Sequence, residues 1–445
     1  MNLQTHAVLN NADKTRQPGV RKAVKKIDSS LLRDICLGAG ADDAGFVEID
    51  RVEIDAQRAD ILAVLPQTRS LISFVVKMNR GPIRSPARSV ANLEFHHIND
   101  KTNETGHRIV ASLENNGIHA INPAMGFPME MQNFPEKMWV VSHKPVAVAA
   151  GLGRMGIHRN VIHPRFGNFI LLGTVLMDAG VTDYSQPVDY NPCLSCKLCV
   201  SACPVGALSP DGDFNFSACY THNYREFMGG FSNWVETIAG SNSSSDYRRK
   251  VTDSETVSMW QSLSYGANYK AAYCMAVCPA GEDVISPFLA DRPEYLQEVV
   301  RPLQRKQEPV YVVQDSDAEA YVARRFPHKT IRRVENVLRP TSIKTFLQGL
   351  PLLFQRDRSR GLDNTYHFRF TGADTQETTV VIRDNTLEVS KGHTGTPDIL
   401  ITADAEVWIK FLRKEINIVW ALIRRKIRIK GNPGLLLDFG KCFLA

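Results

Sequence analysis

Seven of the nine cysteines lie between residues 193 and 278, and four of them, Cys193, Cys196, Cys199 and Cys203, run into Pro204 as C-x2-C-x2-C-x3-C-P. Thiols crowded in this way, in a chain without a secretion signal, favour metal ligation over disulfides. A run spaced by two, two and three residues wraps tightly enough for its first three sulfurs to reach one iron–sulfur cluster, while the fourth faces a neighbouring one. The distant pair Cys278-Pro279 supplies the reciprocal ligand. One 4Fe-4S cluster is therefore expected on Cys193, Cys196, Cys199 and Cys278. The remaining Cys203, Cys219 and Cys274 form an incomplete set, because Ala271 stands three residues before Cys274, where a second run usually has cysteine. Three readings stay open: a 3Fe-4S cluster, a second 4Fe-4S cluster with a non-cysteine ligand such as His222, or no second cluster. Some second cluster is preferred, since Cys219 and Cys274 would otherwise be idle. Zinc sites also use C-x2-C pairs, but they seldom show the continuous run ending in Cys-Pro. Cys36 and Cys442 sit in apolar helical surroundings and read as core residues.

The elements that must position these thiols follow from patterning. At 445 residues the chain is long enough for two to four domains. Residues 1–28 are polar and basic and read as a mobile arm, without the apolar stretch of a secretory signal. Over 29–188, helical patterns (SSLLRDICLGAGA, HRIVASLENNG) alternate with strand-like runs (LISFVV, MWVV, FILLGTVL), which predicts an α+β domain of strands covered by helices. Residues 189–290 form the cysteine module, with GSNSSSDYRRK as an exposed loop inserted between its two cysteine groups. Residues 291–340 are charged and read as a linker. From 341 to 445, YHFRFTG, TTVVIRD, TLEVSKG and PDILITAD predict a four-stranded antiparallel meander, followed by two helices, a last strand over IRIKGN and a last helix.

Hydrophobic residues at 43% and charged residues at 22% are those of a globular protein. No stretch approaches the roughly 20 apolar residues needed to span a bilayer. A net charge of +6 spread along the chain argues for solubility and not for nucleic acid. A cytoplasmic protein with no transmembrane segment is expected.

The segment before the cysteines, MWVVSHKPVAVAAGLGRMGIHRNVIHPRFGNFILLGTVL, carries Gly151, Gly153 and Gly156, which permit close backbone approach to a flat or bulky ligand or else a tight turn. Here the chain resembles the cobalamin-dependent iron–sulfur reductases, the family of epoxyqueuosine reductase and the reductive dehalogenases. The matching pattern is A-G-L-G-x-x-G over Ala150 to Gly156, P-x-[YF]-G over Pro164 to Gly167, and the run Cys193 to Pro204, within about residues 29–290. The resemblance implies a nitroreductase-like domain holding cobalamin base-off beside the clusters, with Gly151, Gly153, Gly156, His158, Arg165 and Gly167 as cofactor-binding positions. It also implies single electrons passed from an external donor (a ferredoxin, flavodoxin or reductase) through the clusters to cobalt. The departures are informative. Ser142 stands where epoxyqueuosine reductases carry an acidic proton donor, and the adjacent His143 and Lys144 are alternative donors or strand-end polarity. Phe169, Ile170 and Leu171 stand where dehalogenases have a basic residue. His96 and His97 are further donor candidates at what reads as a loop edge.

Residues 341–445 resemble a sterol carrier protein 2-type domain, on the meander, the T-P-D-I-L-I-T-A-D turn into the helix around Trp408, and the closing I-K-G-N-P. Trp408, Phe411, Leu412, Ile416, Val419, Trp420 and Leu422 supply enough apolar surface to line a pocket or to form ordinary core. The combined expectation is a cobalamin-dependent iron–sulfur reductase acting on a hydrophobic small molecule or lipid. The alternatives are a corrinoid-free electron-transfer protein with a lipid-binding tail, and a lipid-sensing module whose clusters report redox state.

Overall fold

A computed structural model describes residues 26–134, 137–193 and 195–443. The basic arm lies outside the described residues except at its end, where Lys26–Ile27 pairs in parallel with Gly180–Val181. Asp28 then caps helix α1 (Ser29–Ala39), accepting from the Ser30 and Leu31 amides, and Gly40 ends that helix at φ 114°. Strands β1 (Asp43–Glu48) and β2 (Ser70–Lys77) follow, then the long helix α2 (Arg88–Asn115), short β3 (Ala120–Ile121), helix α3 (His143–Ala149) and β4 (Ile170–Met177). They form an antiparallel sheet in the order β1-β2-β4-β3, with Ser70 opposite Met177 and Lys77 opposite Ile170. Alternate residues of β2 serve two cores: Ile72, Phe74 and Val76 pack toward α1 and α2, while Leu71 and Val75 pack among Val146, Ala147 and Ala149 of α3. The MWVV run predicted as a strand instead leads into α3 without joining the sheet. The His96-His97 pair lies inside α2, not at a loop edge.

The cysteine module contains α4 (Leu198–Ala202), α5 (Phe216–Asn223), α6 (Ser244–Lys250) and α7 (Tyr273–Ala276). Helix α6 occupies the predicted loop insertion, because Ser243 accepts from the Asp246 amide and supplies the cap that starts a helix. Residues expected to be a linker fold instead. Strand β5 (Pro309–Val313), helix α8 (Asp317–Arg325) and strand β6 (Thr330–Val334) make a β-α-β unit with two parallel strands, Val310 opposite Ile331. Val310, Val312, Val322 and Phe326 join the same hydrophobic core as Leu32, Phe74, Leu198 and Ala276, so body and module share one interior. Charge on the outer faces of α8 and β6 hid that apolar inner face in the sequence.

The tail begins with α9 (Ile343–Leu353), opened by a capping box between Ser342 and Thr345. Strands β7 (Asp363–Thr371), β8 (Glu377–Arg383), β9 (Thr386–Lys391) and β10 (Ile399–Asp404) follow, then α10 (Ala405–Leu412), α11 (Ile418–Ile423), β11 (Ile427–Gly431) and α12 (Gly434–Cys442). The sheet order is β9-β8-β7-β10-β11. The first three strands are the expected meander, but β10 crosses over to pair with β7 in parallel, Tyr366 opposite Ile399. The tail has its own core, with Trp408, Phe368, Phe370 and Phe439 at its centre. Cys36 and Cys442 are fully buried core residues. Among the described residues, no helix is long and apolar enough to cross a membrane.

Candidate metal centre

All nine cysteines are free thiols. Cys193 packs with Cys278, Ile162, Ala280 and Tyr190. Burial raises the Cys199 thiol far above its usual range, and Cys274, Cys278, Cys196 and Cys193 add like charge. Burial likewise pushes Cys278 up to about 12, with Cys196 and Cys193 among the thiols that add to it. A second group gathers Cys203 at the end of α4, Cys219 in α5 and Cys274 in α7. Burial raises Cys219, Cys203 and Cys274 reinforce the shift, and Lys144 opposes it. Cys274 goes to about 12 for the same leading reason, with Cys203 adding and Lys144 opposing. The charge fields of these thiols overlap across the two sets read from spacing, since Cys274 acts on Cys199 and Cys278 as well as on Cys219. Thiols that are buried together and repel one another are stable as thiolates only around a cation, which cluster iron supplies. Among the described residues, no three His, Cys, Asp or Glu side chains close to the spacing of a single ion.

Two cations stand beside the three-thiol set. Arg88, at the start of α2, has all three guanidinium nitrogens buried without a hydrogen-bond partner. It lies 5.5 Å over the Tyr273 ring and interacts with Tyr273, Glu308 and Cys274. Lys144 Nζ donates to the Arg159 carbonyl at 2.6 Å and to Asn160 Oδ1 at 3.0 Å. The surrounding protein lowers its pKa, and Cys274 and Cys219 pull the other way. An orphaned guanidinium is costly unless an anion meets it, and a thiolate-ligated cluster is such an anion. The second thiol set therefore fits a cluster, with Cys203, Cys219 and Cys274 to hold it. Lys144 keeps substantial solvent-exposed surface, and Cys219, Cys274 and Tyr224 keep some. All four are nonetheless surrounded closely enough for burial to lead their pKa shifts.

The other candidates fall in different places. His143 is pinned: Nε2 must donate to the Ala124 carbonyl at 3.1 Å, so Nδ1 accepts from Thr174 Oγ1 at 2.9 Å. Burial lowers its pKa, which leaves it neutral and committed. Ser142 occupies the cap position of α3, and its amide donates to Gln57 Oε1. His222 accepts from the Tyr311 amide, and the charges acting on it are Glu308, Lys270, Lys329 and Lys306, with no thiol among them. Its Nε2 is buried without a hydrogen-bond partner. His96 bonds the Ala267 carbonyl, and His97 is exposed.

The glycines serve the protein's own packing. A Cβ on Gly151 would stand 2.4 Å from the Gln186 carbonyl oxygen, on Gly153 2.3 Å from that of Ile162, and on Gly167 2.0 Å from that of Ala280. A Cβ on Gly156 would meet Ile162 and His158 side chains. His158 is buried, with Nδ1 accepting from the Asn160 amide and Nε2 lying 3.1 Å from the Asn168 side-chain amide. Arg165 pairs with Asp283 at 3.1 Å. At these six positions the contacts shown are with the protein's own residues. Arg88 and Tyr224 escape detection in the sequence because each lies in an ordinary helical or aromatic context. Only an arginine opening an otherwise apolar-faced helix hints at the first.

A C-x2-C-x2-C-x3-C-P run in a mixed α/β body is that of an iron–sulfur protein. A 4Fe-4S binding domain model matches residues 187–209, and the SCP-2 sterol transfer family model matches residues 348–443. The chain's relatives among characterised proteins are epoxyqueuosine reductases, which are oxidoreductases. The protein from Lactococcus garvieae is 28% identical over 143 residues, covering 32% of this chain and 33% of the relative. That from Staphylococcus aureus is 35% identical over 80 residues, covering 18% and 20%. The chain thus spans at most about a third of the length of these two curated relatives. Among solved structures, epoxyqueuosine reductase from Streptococcus thermophilus aligns at 16% identity and a TM-score of 0.33, covering 62% of this chain and 78% of that one. A B12-dependent reductive dehalogenase aligns at 14% and 0.38, covering 61% and 35%. Scores this low carry no weight of their own.

Proposed function

We propose that this chain is a cobalamin-dependent iron–sulfur reductase that acts on a hydrophobic small molecule. The observation that supports it best is the crowding of seven thiols between residues 193 and 278, with the unpartnered Arg88 guanidinium and Lys144 both in the charge field of Cys274. Cys193, Cys196, Cys199 and Cys278 hold the first cluster, and the exposure of Cys196 puts that cluster nearest to an external donor. Cys203, Cys219 and Cys274 hold the second, with three thiolates. When bound, the clusters would supply single electrons and a corrinoid would supply a strong cobalt reductant. The protein's own residues orient and protonate: Lys144 holds its proton at Nζ against the Arg159 carbonyl, while His143 keeps its proton on the Ala124 carbonyl. The match to the sterol transfer family supports an apolar substrate.

The test is anaerobic reconstitution with iron, sulfide and hydroxocobalamin, followed by metal analysis and the ultraviolet–visible spectrum. Stoichiometric cobalt together with two clusters is expected. Clusters without cobalt would select a corrinoid-free electron-transfer protein, and a chain that takes up neither would sink both readings.

A further inference from the structure

Between body and tail lies a cavity of about 1100 Å³, at the top of the range of roughly 300–1000 Å³ that small-molecule sites occupy. One wall is helix α9 of the tail, presenting Phe346, Gly349 and Leu350. The facing wall is α5 and its continuation, where Phe216, Tyr220 and Tyr224 stack in series with ring centroids 5.5 and 5.3 Å apart. Trp139 and its neighbours, from the segment before α3, close a third side. Cys219 is carried on the same helix as Phe216 and Tyr220, and Tyr224 reaches both the cavity and the charge field of Cys219 and Cys274. The helix that walls the cavity therefore also carries one thiol of the three-thiol set.

At the centre of the tail, Phe346, Phe368, Phe370, Trp408 and Phe439 pack ring against ring at 5.3–6.1 Å. The less buried residues of α9, Gln348, Gly349 and Leu352, line the shared chamber together with Phe346 and Leu350. Polar contacts hold the two parts in this arrangement: Arg356 pairs with Asp211 at 2.7 Å, and the Asp317 amide donates to Gln355 Oε1 at 3.0 Å.

We infer that the ligand site of this protein is this composite chamber rather than a tunnel within the tail, and that it takes an apolar molecule with a long-chain or polycyclic skeleton. Its orientation toward the second cluster rests on the reductase reading. The tail is then a wall of the substrate site and not a detachable carrier.

Gly349 gives a clean test, because a Cβ there meets nothing within 4 Å. The full-length chain is titrated with the fluorescent fatty acid cis-parinaric acid, alongside Gly349→Trp, Gly349→Phe and Gly349→Ala. Circular dichroism and thermal unfolding verify that each variant folds. The bulky variants are expected to weaken probe binding roughly tenfold or more, and the Ala variant to stay within roughly twofold. Unchanged affinity in folded Trp and Phe variants overturns the inference. Displacement of the probe by one equivalent of hydroxocobalamin also overturns it, assigning the chamber to the corrinoid. The titration needs no iron, so a chain that fails reconstitution but binds the probe at this site loses the reductase reading and keeps the chamber.

Discussion

Cys219→Ala and Cys196→Ala separate the two thiol sets. Each variant is expected to lose about three to four irons per chain, the content of one cluster, and to keep the other cluster's electron paramagnetic resonance signal when reduced. Loss of both signals in either variant would mean a single shared site. Arg88 and Lys144 set the charge around the second cluster. Reduction adds an electron, so a nearby cation favours the reduced form. Removing one unit charge a few ångströms away, at an effective dielectric of about 20, shifts a one-electron couple on the order of 100 mV. Arg88→Met and Lys144→Met should therefore lower the second cluster's midpoint potential and leave the first nearly unmoved, as redox titration would show. A uniform shift of both couples would contradict the placement of these cations.

Helix α9 and the turn at Gly167 respond in opposite ways to an added methyl. Gly349 lies inside α9 with open space at its Cβ position, so Gly349→Ala should stabilise the fold by about 0.5–1 kcal/mol, read as a higher denaturant midpoint. Gly167 sits at φ 65°, and its Cβ would stand 2.0 Å from the Ala280 oxygen, in the turn that presses against the segment after Cys278. Gly167→Ala should cost ~2 kcal/mol or more and loosen the first cluster, seen as faster iron loss to a chelator. Helix α6 and the β5-α8-β6 unit carry a sequence lesson at this scale. Ser- and charge-rich composition reads as loop or linker, yet a cap at Ser243 and one apolar face around Val310, Val312 and Val322 were enough to make structure.

For the whole molecule, acid stability is set by histidines buried without charge. Burial leads the shift of both His158 and His222 from 6.5 to about 4. The unfolded chain then binds protons between pH 6.5 and 4 that the folded chain does not. Stability is accordingly full above pH 6.5 and falls as pH drops toward 4. Urea unfolding across that window should show up to about two protons taken up on unfolding, and His222→Gln should remove about one of them. A pH-independent midpoint would place these rings in solvent.

The 4Fe-4S binding run was legible in the sequence because ligand spacing is local: the stretch 193–204 closes on itself, and the 4Fe-4S binding domain model matches residues 187–209. The central strands and the first three strands of the tail were legible for the same reason, since their periodicity needs no distant information. Tertiary structure alone decided which charges meet the thiols. Arg88 lies 186 positions from Cys274 along the chain, and Lys144 acts on Cys219 and Cys274 only because distant segments pack together. It also decided that His143 spends its proton on Ala124, that β10 crosses to β7, and that α9 of the tail closes a chamber against Tyr220 and Tyr224. Each of these depends on how separate segments pack, and burial, unlike spacing, is a property of neighbours that the chain acquires only when folded.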